Sequence, residues 1–268
     1  QFPARIEEVD LSDVGVSGGD FKEEELAAIM NLEGALHGAA TATIEVSCGL
    51  PKDTLKNLLA SHADIEIHEK RIDACRSELA SLIELRRRKS VLMFCVDVNQ
   101  SRRQAEILNR WIPGSAESVD GSTDKIERRR LFADFGRKRF QFLTNCDIAT
   151  EGTDIPGVEV VAMGKPTMSE PRFTQMIGRG TRPAESISLL LNDAPDAEAR
   201  RRMIAESEKP SVIILDFVGN TGKHKLITLA DVLGSDMPDE IRERAKKMAD
   251  NLTFESGLPA DVLESLRL

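Results

Sequence analysis

The chain has 268 residues, of which 41% are apolar, and carries 36 Lys and Arg against 45 Asp and Glu, a net charge of -9. That apolar share supports a buried core and excludes a fully disordered chain. The longest apolar run, Val91 to Val96, is far below the roughly 20 residues of a membrane span. Cys48, Cys75, Cys95 and Cys146 form no C-x-x-C pair, and His37, His62, His68 and His224 do not cluster with them in sequence. This argues against a structural zinc site and a disulfide framework. The start, Gln1 to Asp13, is mixed and acidic and has neither Met nor a signal-peptide pattern. The expectation is an intracellular, cytoplasmic and reducing setting, and a piece of a longer polypeptide.

In chain order, residues 1–21 read as an irregular linker, with Gly15, Gly18 and Gly19 close together. Helices are expected over 22–40, 52–60 and 65–88, the last ending in Arg86-Arg87-Arg88-Lys89. Val91 to Val96 then has the length and continuity of a strand buried on both faces. A helix over 100–111, a strand over 116–119, the turn Asp120-Gly121 and a helix over 123–137 follow. Strands at 140–144 and 158–163, helices at 170–179 and 196–207, and a strand at 211–217 complete the alternation. Residues 228–268 read as helical, broken near Pro238 and Pro259. Alternating strands and helices predict an α/β domain with a mostly parallel sheet over 88–222. The expected flanks are a linker and helical segment over 1–87 and a helical extension over 223–268.

Charge is unevenly spread. Arg86 to Arg182 holds 18 basic and 12 acidic residues, and the remainder 18 basic and 33 acidic. A basic middle can attract phosphates although the whole chain is acidic, and the same pattern also suits solvated helix faces.

Ligands of parallel sheets gather at the carboxyl ends of strands, and two segments are expected there. The first, Asn145 to Pro156, follows the strand at 140–144 and includes Gly152, where backbone can approach a ligand, and Asp154, a fixed acceptor. The alternative is an ordinary loop with Asp as turn former. The second, Gln175-Met176-Ile177-Gly178-Arg179-Gly180-Thr181-Arg182, places two Arg at i and i+3. Their planar forks match phosphate oxygens and would suit charge building on a terminal phosphoryl group. The alternative is a pair of surface Arg capping a helix.

In this order the segments resemble the second RecA-like domain of superfamily-two helicases. Val91 to Ser101 is similar to motif IV. Asp120-Gly121-Ser122-Thr123 with Glu127-Arg128-Arg129 and Phe132 is similar to the stretch that follows it. Thr150 to Pro156 is similar to motif V, and Gln175 to Arg182 to motif VI, Q-x-x-G-R-x-x-R. Within the superfamily these motifs, with Leu215 to Gly222 and Leu229 to Leu233, look most like the restriction-subunit-like DEAD/DEAH group.

The resemblance implies a RecA-like α/β fold and an ATP-dependent helicase, with ATP clamped between two such domains. It assigns Arg179 and Arg182 to the ATP γ-phosphate, Arg182 ahead as arginine finger, with Gln175 near the γ-phosphate or its attacking water. Gly152 and Asp154 would lie at the nucleotide, Asp154 toward the ribose. Asn145, Cys146 and Thr150 would face nucleic acid, DNA ahead of RNA. Cys146 replaces a phosphate-contacting Thr of many relatives, and a thiol is a poor donor.

No P-loop pattern occurs, and Gly219 to His224 has too short a glycine spacing, with His224 where Ser or Thr would bind Mg²⁺. The expectation is a first RecA-like domain in the same polypeptide that holds Mg²⁺, with this fragment inactive alone. The alternative is a non-catalytic interaction domain of helicase-derived fold.

Overall fold

The computed structural model describes residues 1–148, 155, 157–256 and 259–267. The chain opens with strand β1 (Phe2–Asp10) and a small hairpin, β2 (Val16–Ser17) and β3 (Asp20–Phe21). Four helices follow: α1 (Glu23–Met30), α2 (Glu33–Cys48), α3 (Thr54–Ser61) and α4 (His68–Ile83). Strand and helix then alternate through β4 (Val91–Cys95), α5 (Val98–Trp111), β5 (Ala116–Val119), α6 (Lys125–Gly136) and β6 (Phe142–Asn145). Next come β7 (Val160–Gly164), α7 (Glu170–Gly178), α8 (Glu185–Ser188), a 3-10 turn at Leu190–Asn192 and α9 (Ala197–Ala205). The chain then runs through β8 (Ile213–Asn220), α10 (Leu229–Leu233), α11 (Asp239–Ser256) and α12 (Val262–Arg267).

The principal sheet has six strands in the order β1-β8-β7-β4-β6-β5, and every neighbouring pair is parallel. Its central strands are continuous apolar runs because both faces are covered. Val91, Met93, Cys95, Val160, Ala162, Leu215 and Phe217 join the core beneath α2 to α5. Leu92, Phe94, Val161, Met163 and Ile214 join the opposite core, with Leu131 and Phe135 of α6 and Phe173, Met176 and Ile177 of α7. The alternation is the two-residue period of a strand. This is the RecA-like α/β architecture that the motifs imply.

Side chains fix where several helices begin. Asp97 accepts from the Gln100 amide at 2.6 Å ahead of α5, and Asp124 accepts from the Ile126 amide at 2.8 Å ahead of α6. Thr228 and Asp231 form a reciprocal capping box on α10. Helices α10 to α12 share a small separate core built on Ala230, Ala245, Ala249 and Val262.

The linker expected over residues 1–21 is overturned. Phe2–Asp10 is an edge strand paired in parallel with β8, Phe2 beside Leu215 and Ala4 beside Phe217. Phe2, Ala4 and Ile6 turn into the core while Arg5 and Glu7 stay exposed. Pro3 is tolerated there because an edge strand leaves one side unpaired. The sheet therefore extends beyond residues 88–222. Among the described residues no helix is long and apolar enough to cross a membrane.

Candidate ATP-site surface and nucleic-acid edge

Because every strand of the main sheet runs the same way, all their carboxyl ends share one edge. Asn145 and Cys146 leave β6 at that edge. Asn145 is fully buried, and its side-chain amide donates to the Met93 carbonyl of the neighbouring strand at 2.8 Å. This bond ties β6 to β4. Thr144 beside it donates to the Ser101 carbonyl at 2.8 Å.

Cys146 is half-buried, with its Sγ 3.7 Å from the Val96 carbonyl. Burial first, and then the neighbouring Asp147 carboxylate, push its thiol up to about 11. The thiol therefore stays protonated and a weak donor at neutral pH. Asp147 adopts φ 56°, a left-handed conformation uncommon outside glycine. Lys165, which leaves β7 nearby and is almost wholly buried, donates to Asp147 at 3.1 Å and to Glu23 of α1 at 2.9 Å. Burial works against the Lys165 charge, but the two carboxylates outweigh it and hold its pKa above the ordinary range. Thr150, Gly152 and Asp154 lie outside the described residues.

The other polar residues of this edge bind one another. Gln100 accepts from the Val96 amide at 2.6 Å and donates to the Gly164 carbonyl at 3.1 Å. Asp120, after β5, accepts from Ser122 and from Arg102 at 2.8 Å. Those bonds, Ser122 foremost, hold its carboxyl below the usual range. Asp20 accepts from Thr167 at 2.6 Å and from the Met168 amide at 2.9 Å, and so secures the approach to α7.

Helix α7 carries the second segment back across the sheet. Phe173, Met176 and Ile177 face the core and Gln175 is exposed. The regular helix ends at Gly178, so Arg182 does not share a continuous α-helical face with Gln175. Beyond it the amides of Arg179, Gly180 and Thr181 bond three residues back, to Met176, Ile177 and Gly178. This is a tightened 3-10-like turn, in which positions i and i+3 fall into line. Arg179 is half-buried and Arg182 exposed.

Gly180 is buried against the sheet. A Cβ there would lie 2.5 Å from Val212 and 2.8 Å from Val161, which stand at the beginnings of β8 and β7. Lys209 donates to the carbonyls of Gly180 at 2.8 Å and Arg182 at 2.5 Å. The Arg segment thus sits toward the amino edge of the sheet, across from Asn145 and Cys146. Only the first of the two expected segments begins at the carboxyl edge.

Lys165, Lys209 and Gln100 were not singled out from the sequence. Each looks like an ordinary surface polar residue until its neighbours are known.

Residues 72–184 match the family described as "Helicase conserved C-terminal domain". The chain is similar to the Schizosaccharomyces pombe protein named "Putative mitochondrial ATP-dependent helicase irc3", 40% identical over 95 residues, covering 35% of this chain and 16% of that protein. It is also similar to the Saccharomyces cerevisiae protein named "Putative ATP-dependent helicase IRC3", 34% identical over 97 residues, covering 35% of this chain and 14% of that protein. The matched stretch is thus a small part of either relative. Among solved structures, the C-terminal domain of the DEAD-box protein Dbp5 shares 17% identity, covers 64% of this chain and 89% of that one, and has a TM-score of 0.41. The turn at Arg179 to Arg182 lies at the end of the family match, while strands β1 and β8, which complete the sheet, lie outside it. The matched segment is thus similar to the C-terminal, second RecA-like domain of superfamily-two helicases.

Proposed function

We propose that this chain is the C-terminal motor domain of an ATP-dependent nucleic-acid helicase or translocase, completing an ATP site shared with a first RecA-like domain of the same polypeptide. The observation that supports this most is the end of α7 and the turn after it: exposed Gln175 lies on the helix, and half-buried Arg179 and exposed Arg182 on a turn whose Gly180 and Arg182 carbonyls Lys209 holds. The donor chemistry fits a polyphosphate: an amide and two planar guanidinium forks, all rich in N–H groups. Arg179 and Arg182 would hold terminal phosphate oxygens, and Arg182 would meet charge that grows there during transfer. Gln175 would orient the attacking water. Gly152 and Asp154 are assigned to the nucleotide by the motif alone. ATP, when bound between the domains, supplies the phosphoryl transfer that drives the motor.

Mg²⁺ coordination belongs in this reading to the first domain. Among the described residues no group of three or more His, Cys, Asp or Glu is placed to hold a metal ion. The nucleic acid, DNA ahead of RNA, would run along the carboxyl edge, where Cys146 leaves β6 and backbone amides would carry phosphate contacts; Thr150 is assigned to nucleic acid by the motif alone. An intracellular setting belongs to the same proposal.

The test is ATP hydrolysis by the full-length protein with and without single-stranded DNA or RNA. Turnover that rises with nucleic acid, and rises more with DNA, is the expected result. The isolated 268-residue chain should be nearly inactive. Full-length protein that binds nucleic acid yet shows no stimulated turnover would turn the reading toward a non-catalytic interaction domain.

A further inference from the structure

We propose that Lys209 is a positioning residue for Arg182: its ammonium clamps the Gly180 and Arg182 carbonyls and so fixes the direction in which the Arg182 side chain leaves the domain. This deepens the proposed function and rests on Arg182 acting at a phosphate. Lys209 lies outside the motif VI stretch, 27 residues beyond Arg182, and arrives from the loop between α9 and β8.

Three features set this lysine apart from a surface cation. It is only 7% exposed. Its ammonium donates to two backbone oxygens of one turn, 2.8 Å and 2.5 Å away. The turn is also pressed from the opposite side, since Gly180 packs on Val161 and Val212 with no room for a Cβ. The backbone from Gly180 to Arg182 is therefore held between a charged donor and the sheet. The Lys209 amide bonds to Ser207 at 3.2 Å, which steadies the root of the clamp.

The energetic logic favours a purpose. Burying an ammonium group is costly unless strong acceptors receive it. Here the acceptors are two carbonyls of the turn that follows α7. A Leu or Met would fill the same space without that desolvation cost. What it would lack is a fixed hydrogen-bond direction at the two carbonyls flanking Thr181.

Several charged groups surround the clamp. Glu159 precedes β7, with Arg87 and Lys138 paired to it. Glu208 is the adjoining residue in the chain and accepts from Ser186. Arg179 and Arg182 are on the clamped turn itself. Burial, only partly offset by Glu159, brings Lys209 down to about 8. The ammonium is therefore present at neutral pH and lost as pH rises past that value, which weakens both charge-assisted bonds.

The experiment measures nucleic-acid-stimulated kcat of the full-length protein for the wild type, Lys209→Met, Arg182→Ala and the double variant, together with melting temperature and pH profile. Lys209→Met should lower kcat by about 100-fold, the cost of a small misplacement of a reacting group. In the Arg182→Ala background it should change kcat by less than about twofold, because effects of residues that act as one unit do not add. The wild type should lose about fivefold in kcat as pH rises through 8, and Lys209→Met should lack that decline. If Lys209→Met does not fold, Lys209→Arg carries the test, since its charge does not titrate and the alkaline decline should vanish.

An Arg182→Ala variant with normal turnover would remove the proposed function itself. A collapse of turnover in Arg182→Ala, with Lys209→Met normal at temperatures below its melting point, would overturn the positioning role alone. Lys209 effects that multiply with those of Arg182 would also overturn it.

Discussion

At the carboxyl edge of the sheet, Lys165 and Asp20 engage other side chains: Lys165 bridges Glu23 and Asp147, and Asp20 receives Thr167 and Arg172. At the amino edge, Lys209 engages backbone carbonyls and the Arg side chains that follow are partly or wholly exposed. The carboxyl edge is knitted by polar groups facing inward, so its substitutions should register as stability. The amino edge spends its polar contacts on a turn, so its substitutions should register as turnover. Residue type alone does not tell which cation stabilises and which one presents. The partner atom does.

The largest test of this contrast is Arg182→Ala. In the full-length protein kcat should fall by roughly 10³–10⁵, the contribution of an arginine finger. Melting temperature should move by less than about 2 °C, as for most exposed side chains. Arg182→Lys should recover only part of the rate because it lacks the planar fork. Near-normal kcat in both variants would collapse the distinction between the edges and leave Arg179 as the remaining finger.

Gly180→Ala should affect both properties. The added Cβ must displace Val212, Val161 or the turn, at a cost of about 1–3 kcal/mol. Chemical denaturation measures the first part and ATP turnover the second. A stable, fully active variant would show that the turn is looser than its packing implies.

Asn145→Ala sharpens the other side. It leaves the Met93 carbonyl without its donor, at a cost of about 1–3 kcal/mol. Any loss of nucleic-acid affinity should disappear at temperatures well below the lowered melting point. Affinity that stays reduced in fully folded Asn145→Ala would return this residue to the nucleic-acid surface.

The smallest effect concerns neither edge. His37 and His68 meet edge to face between α2 and α4, their ring centroids 4.3 Å apart. Burial, then the His68 charge, push His37 down to about 4 from an ordinary 6.5. The unfolded chain therefore binds the extra proton first. Stability from this site is complete above about pH 6.5 and is lost as pH falls toward 4. His37→Gln should flatten the acid dependence of the melting temperature across that window while leaving turnover at neutral pH unchanged. An unaltered acid limb would assign it to other groups.

Legibility tracked how local the physics is. Ala116–Val119 was readable as a strand because short apolar and turn signals bound it, and β4 because an unbroken apolar run is what two covered faces require. Phe2–Asp10 was not, since Pro3, Arg5, Glu7 and Glu8 dilute its alternation and its partner β8 lies more than 200 residues along the chain. The stretch Gln175 to Arg182 stood out through residue type and spacing. Its position toward the amino edge was hidden, because it depends on how far α7 runs back over β7.

The sequence by itself determined the α/β alternation, the resemblance of the central segment to helicase C-terminal domains and the Arg-rich stretch from Gln175 to Arg182. These follow from periodicity and from chemical groups that each residue carries alone. The tertiary structure decided which polar groups are spent internally. Asn145, Lys165 and Lys209 are chemically able to meet a ligand, yet each is committed to atoms that are distant in sequence. A hydrogen bond is set by distance and direction in space, and only the folded sheet brings those donors and acceptors together.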